Sequence, residues 1–188
     1  MIYLASRSPR RCELLKQIGV KFEVIEISID EHWHGEEQPH HYVQRMAMEK
    51  ARAAKNKIPD NSNPVILAAD TSVVLDGRVL GKAKNIKQAR EMLTQLSGRR
   101  HIVYTAVAIA TKAGEQVMLN TSNVNFRVLP ESEITEYCNT GEPIGKAGGY
   151  AIQGKAAVFI ERIEGSYSGI MGLPLYETTR LLYKYNRH

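Results

Sequence analysis

Residues 101–110 (HIVYTAVAIA) and 116–128 (QVMLNTSNVNFRV) read as two long strands joined by a short turn near Ala113-Gly114. A connection that short joins antiparallel neighbours, because parallel strands need a crossover of a dozen residues or more. Elsewhere the pattern mixes strands with helices and shows no strict strand-helix-strand alternation. Residues 21–27 read as a strand, 65–70 (VILAAD) as an apolar strand ending in a carboxylate, and 71–75 as its extended continuation. Asp76-Gly77 is a hairpin signal. Residues 156–163 read as a further strand. Helical spacing marks 39–54, 86–96, 130–137 and a last helix from near Pro174 to about Tyr185. The pattern specifies an α/β chain with a mixed, partly antiparallel sheet.

The segment LASRSPRR (4–11) follows a short apolar run and precedes the apolar pattern Leu14, Leu15, Ile18. Ser8 suits an N-cap and Pro9 the first helical position, where no N–H bond is needed. A strand-to-helix turn with hydroxyls, free backbone N–H groups and two arginines is an anion site; two solvated arginines on a capped helix are the plainer reading. Gly19 is placed to close this helix.

At 188 residues the chain is expected to form a single domain spanning 1–188, with room for a substantial core. No apolar stretch approaches the roughly 20 residues that span a membrane. The N-terminus lacks the apolar region of a signal peptide, so a cytoplasmic location is expected. The two cysteines, Cys12 and Cys138, form no CxxC pair and are expected to be reduced. Cys138 is expected to pack beside Ile134. The net charge of +5 favours anionic ligands without singling out nucleic acid, because the basic residues are dispersed.

Several residues are candidates for chemistry. Asp70, expected at the end of a buried strand, suits a divalent cation or the activation of water; a turn-capping role is the alternative. Lys50 falls within the apolar stripe Val43, Met46, Ala47, Ala51, Ala54. It either snorkels to solvent or faces a cleft. Lys82 follows Gly81, where a backbone without a side chain lets a phosphate approach. The loop GEPIGKAGGYAIQG (141–154) holds five glycines, and its Gln153 suits the reading of a base edge. GSYSGIMGLP (165–174) offers a second anion-binding helix start at Pro174. The segment 28–41 reads as a polar loop in which His32, His34, His40 and His41 are expected to be solvated rather than metal-binding.

Taken together, LASRSPRRCELL (4–15), EKARA (49–53), AADTSVVLDG (68–77), LSGRRHIVYTAVAI (96–109), the 141–154 loop and GSYSGIMGLPLYET (165–178) resemble the Maf family of nucleotide pyrophosphatases. The resemblance implies a Maf/Ham1-like elongated mixed β-sheet flanked by helices, with two lobes and a central cleft. It also implies cleavage of a nucleoside triphosphate to monophosphate and pyrophosphate, a divalent cation such as Mg²⁺ or Mn²⁺, and a homodimer. By position, Asp70 would activate water and help bind the metal, with Glu31 as a further metal or water ligand. Ser6, Arg10, Arg11, Lys50 and Lys82 would hold the triphosphate, which gives Lys50 a cleft-facing role. Arg10, Thr71 and Gln153 occupy positions linked to base selection. Thr71 after Asp70, with KAGGYAIQG, resembles the branch acting on dTTP and UTP. The chain departs from the family at Ala83, where proline is usual, and in the run Gly169-Ile170-Met171.

The alternatives are a pyrophosphatase for noncanonical purines or 7-methyl-GTP, and a cell-division regulator or nucleic-acid-binding protein. With 3 Phe and 1 Trp the chain offers few aromatic residues for stacking bases.

Overall fold

The computed structural model describes residues 1–33, 35–59, 63–183 and 185. The expectation for His34, part of the turn-rich 56–64 connection and residue 184 of the last expected helix lie outside the described residues.

Seven strands form one sheet. They are β1 (Ile2–Leu4), β2 (Phe22–Val24), β3 (Val65–Leu75), β4 (Arg78–Leu80), β5 (Arg100–Thr111), β6 (Gly114–Phe126) and β7 (Ile160–Glu164). The order is β2-β1-β3-β5-β6-β7, with β4 paired to β3. β1 runs parallel to β2 and β3, and every other pairing is antiparallel. The long hairpin anticipated in the sequence is β5–β6, closed where Thr111 pairs with Gly114. Asp76 and Gly77 turn β3 into β4 with φ of 50° and 75°, the left-handed values that a two-residue hairpin turn requires.

Helices cover both faces. They are α1 (Pro9–Gln17), α2 (Pro39–Lys55), α3 (Ile86–Leu96), α4 (Glu131–Asn139), α5 (Tyr167–Met171) and α6 (Leu175–Tyr183). Side-chain alternation along β3 and β5 sorts the core. Ile66, Ala68, Ala106, Ala108 and Ala110 pack against Val43, Ala47, Ala51 and Ala54 of α2, where small side chains let helix and sheet approach closely. Leu67, Ala69, Val107 and Ile109 face the other way, against Leu14 and Leu15 of α1 and Leu181 and Leu182 of α6. A third cluster joins the far ends of β3, β5 and β6 to α3 and α4, and contains Ile134 and Cys138 together. None of the helices among the described residues is long and apolar enough to cross a membrane.

Four local expectations are corrected. The strand expected over 21–27 is only Phe22–Val24. The strand expected over 156–163 begins as a 3₁₀ turn, Lys155–Phe159, and β7 starts at Ile160. Ala156 and Phe159, three apart, are the buried residues of that turn, so burial follows a helical spacing there. His40 and His41 belong to the first turn of α2 rather than to the preceding loop. Ser8 precedes α1 with extended backbone, but its side chain makes no capping bond.

Two features hold the glycine-rich loop against the sheet. Gly148 has φ of 65°, and a Cβ there would lie 2.9 Å from Val73 Cγ1. Gly148→Ala is expected to cost about 1–3 kcal/mol of stability, read from urea unfolding. Tyr150, on the same loop, has its hydroxyl 2.8 Å from Nε2 of buried His101. Burial pushes the His101 imidazole down to about 4. The unfolded chain therefore binds an extra proton between pH 6.5 and about 4, while the folded chain does not. The stability due to this group is complete above pH 6.5 and declines as pH falls through that window, by about 3 kcal/mol in all. His101→Phe should remove that part of the slope in a series of unfolding curves against pH.

Candidate active site

The topology of β3 opens the cleft. β5 pairs along one edge of β3 from Ile66 to Val74. The opposite edge takes β1 at Val65–Leu67 and β4 at Val73–Leu75, leaving Ala68–Ser72 between them. Asp70 sits in this gap, in the middle of a continuous strand rather than at the strand end expected from the sequence. Alternation then assigns the partners. Asp70 continues the Ile66/Ala68 face toward α2, and Thr71 continues the Leu67/Ala69 face toward α1.

On the α2 side, Lys50 is 5% exposed. Its Nζ lies 2.6 Å from Asp70 Oδ1 and 2.6 Å from Glu31 Oε1. The second Glu31 oxygen is 2.6 Å from Lys82 Nζ. Lys50 thus does not snorkel: a buried ammonium requires carboxylate partners, and it has two. The order Asp70–Lys50–Glu31–Lys82 forms an alternating charge chain from the buried floor to the exposed rim. Burial alone would raise the Glu31 carboxyl, but hydrogen bonds from Lys50 and Lys82 outweigh it and hold it at about 2. Tyr42 of α2 donates from its hydroxyl to the Glu31 carbonyl at 2.7 Å, anchoring that loop.

Lys82 is held through its backbone neighbours. Lys82 and Ala147 form an antiparallel bridge. Ala83 N–H donates to Lys146 O at 3.1 Å, and Gly145 N–H to Ala83 O at 2.8 Å. A proline at 83 would lack the first of these donors, so in this chain a hydrogen bond secures the turn.

On the α1 side, Ser6 Oγ accepts from Ser8 N–H at 3.1 Å and from Arg11 Nη1 at 3.4 Å. Arg11 Nε donates to Gly172 O at 2.7 Å and Nη2 to Thr71 Oγ1 at 3.3 Å. Arg10 Nε donates to Met171 O at 3.3 Å. Burial lowers both guanidinium pKa values; the Asp70 charge opposes this at Arg11 and the Glu13 charge at Arg10. Both arginines are therefore bracketed by carbonyls at the end of α5, 161 residues away in sequence.

This bracket was not legible in the sequence, where 165–174 reads as a glycine-rich approach to an anion-binding helix start. Instead Ser166 Oγ accepts from Gly169 N–H at 3.0 Å and starts α5. The first N–H of α6, from Leu175, is taken by Ser168 Oγ at 3.1 Å. A serine three residues before a glycine N–H was the available signal, obscured by the three glycines nearby.

Ser6, Arg10, Arg11, Glu31, Lys50, Asp70, Thr71, Lys82 and Gln153 all line one cleft of about 370 Å³. Lys146 of the 141–154 loop lines it too, a cation not among the residues expected at the site. Burial and the charge of Arg10 both lower its pKa. Gln153 reaches the cleft from a loop fixed by Glu142, whose carboxylate accepts from Tyr137 Oη at 3.0 Å and Lys155 N–H at 3.0 Å. A deep set of cations around one buried carboxylate can neutralise a polyanion beside a group able to take a proton from water.

Comparison with known proteins identifies the family. A family model described as Maf-like protein matches residues 1–185. The chain belongs to the Maf family. A dTTP/UTP pyrophosphatase of Methylobacillus flagellatus is 51% identical over 181 residues, covering 96% of this Maf chain and 90% of that protein. A nucleoside triphosphate pyrophosphatase of Xylella fastidiosa strain M23 is 47% identical over 183 residues, covering 97% of each. Among solved structures, the Ham1 protein of Staphylococcus aureus overlaps 66% of this Maf chain and 71% of its own at 18% identity and a TM-score of 0.46. That overlap is too loose to bear on fold or activity.

Proposed function

We propose that this chain hydrolyses nucleoside triphosphates, with dTTP and UTP preferred, to the monophosphate and pyrophosphate. One observation carries the reading: four cations and a serine hydroxyl, Arg10, Arg11, Lys50, Lys82 and Ser6, converge on the cleft that holds buried Asp70. Relatives at about 50% identity that are named dTTP/UTP pyrophosphatases support it.

Within this reading Asp70 accepts the proton of the attacking water, and Lys50 holds the Asp70 carboxylate in place. Arg11 and Ser6 hold phosphate oxygens on the α1 wall, and Lys82 on the rim. Arg10, Thr71 and Gln153 face the base. In-line displacement needs no covalent intermediate, and pyrophosphate leaves with its charge already matched by cations.

The donor set also fits a divalent cation of the Mg²⁺ type. Asp70 and Glu31 offer hard carboxylate oxygens on either side of Lys50 Nζ. With two carboxylates from the protein, the remaining positions of such an ion would fall to substrate phosphates and water. When bound, it would neutralise phosphate charge and lower the pKa of water.

The test is pyrophosphate release from dTTP, UTP, CTP, ITP and 7-methyl-GTP, each with Mg²⁺, Mn²⁺ or a chelator. Turnover of dTTP and UTP that chelator abolishes is the expected result. Preference for ITP or 7-methyl-GTP would favour the purine reading. Salt-sensitive nucleic-acid binding without pyrophosphate release would favour a binding protein.

A further inference from the structure

Six cationic side chains and two carboxylates line the cleft. The Asp70–Lys50–Glu31–Lys82 chain holds two of each sign, so by itself it brings no net charge to a polyanion. The excess lies on Arg7, Arg10, Arg11 and Lys146. Arg7 is exposed. The Asp70 charge acts on Arg11, whereas the charge that acts most on Lys146 is that of Arg10, ahead of Glu142. Lys146 and Arg10 thus form a pair of like charges, each partly buried. Their side-chain partners are neutral carbonyls at long range: Met171 O at 3.3 Å from Arg10 Nε and Ile144 O at 3.4 Å from Lys146 Nζ. Among the described residues neither forms a salt bridge. The Glu142 carboxylate is occupied by Tyr137 Oη and Lys155 N–H. Like charges drawn together out of water without a counter-charge are unfavourable. Such a local cost is expected where a ligand supplies the missing charge.

The backbone shows that the loop does not depend on this side chain. Lys146 N–H donates to Pro143 O at 3.1 Å, and Lys146 O accepts from Ala83 N–H and Gly149 N–H, both at 3.1 Å. Ala147 pairs with Lys82. Main-chain bonds therefore fix residue 146 at the cleft and leave its ammonium with one weak contact. We propose that Lys146 is a further substrate-binding residue, which together with Arg10 holds the phosphate chain of the nucleotide between α1 and the glycine-rich loop. This rests on the reading of the cleft as a nucleoside triphosphate site and adds a phosphate ligand from the loop that carries Gln153. Arg10, which faces the base in that reading, then borders the phosphate chain as well.

Lys146→Gln removes the charge and keeps most of the side chain's length, while Lys146→Arg keeps the charge. Two quantities are measured on wild type, K146Q and K146R. One is the calorimetric Kd for inorganic triphosphate, the phosphate chain without its nucleoside, at fixed salt and Mg²⁺. The other is the ratio of kcat/KM for UTP over CTP. In K146Q the Kd is expected to rise about tenfold, as loss of one charge-assisted hydrogen bond implies, with the ratio unchanged. K146R should restore most of the affinity. Lys146→Met carries the same comparison if the glutamine variant does not fold. A Kd equal to that of wild type in the folded K146Q or K146M variant overturns the inference alone. A shifted UTP/CTP ratio also overturns it, because a lysine that only steadied the loop would disturb Gln153 when replaced. A wild-type chain that hydrolyses none of the nucleotides overturns the functional reading, and the Kd values then still show whether Lys146 holds a phosphate chain.

Discussion

Asp70→Asn is expected to lower kcat for dTTP and UTP by roughly 10³-fold with little change in KM, the loss typical of removing a general base. Asparagine keeps the shape of the side chain and one oxygen toward Lys50, but it cannot take a proton from water. Lys50 retains Glu31 Oε1 at 2.6 Å, so the buried ammonium still has an ionic partner. The folded state should persist, with a thermal midpoint within a few degrees of wild type. Steady-state kinetics and a melting curve on the same preparation separate the two effects. Turnover at the wild-type rate would exclude Asp70 as the base.

Lys50→Met is expected to have the largest effect on stability. Lys50 touches both Asp70 and Glu31. Methionine fills the stem's volume in the α2 stripe but leaves two carboxylates facing each other without the ammonium. Asp70 is 7% exposed, so its charge has little water to compensate. Breaking a buried pair by removing one partner costs about 3–5 kcal/mol. Urea unfolding at neutral pH should show this loss. Activity should fall as well, because the Asp70 carboxylate loses the group that orients it. A midpoint unchanged from wild type would mean that the pair is solvated, contrary to its burial. A Lys50→Met/Asp70→Asn double variant should recover part of the lost stability, since it removes one uncompensated charge.

Much of the architecture is local enough to be read from the chain. The Asp76-Gly77 turn, the α2 stripe and the α3 boundaries follow from spacing and turn chemistry that each act within a few residues. Asn85 illustrates this: its side chain accepts from Gln88 N–H at 2.9 Å and starts α3 at Ile86. Segments without such a local signature were misread. The 3₁₀ turn at Lys155–Phe159 has strand-like composition, and α5 has only five residues among glycines.

The candidate site divides along the same line. Residue types and their order made Asp70, the arginines and the glycine-rich loop candidates, while Lys50 on its apolar stripe stayed open between snorkelling and a cleft-facing role until the family resemblance gave it the latter. What the sequence by itself determined was which residues are chemically capable and which face of each helix or strand they occupy, because periodicity fixes faces. Only the tertiary structure decided which of those faces meet. The gap between β1 and β4 on one edge of β3, the grip of α5 carbonyls on Arg10 and Arg11, and the Thr71–Thr105 contact all join segments tens to more than a hundred residues apart. No local propensity encodes such contacts; they are set when the long antiparallel strands choose their register and the helices pack onto the faces that result.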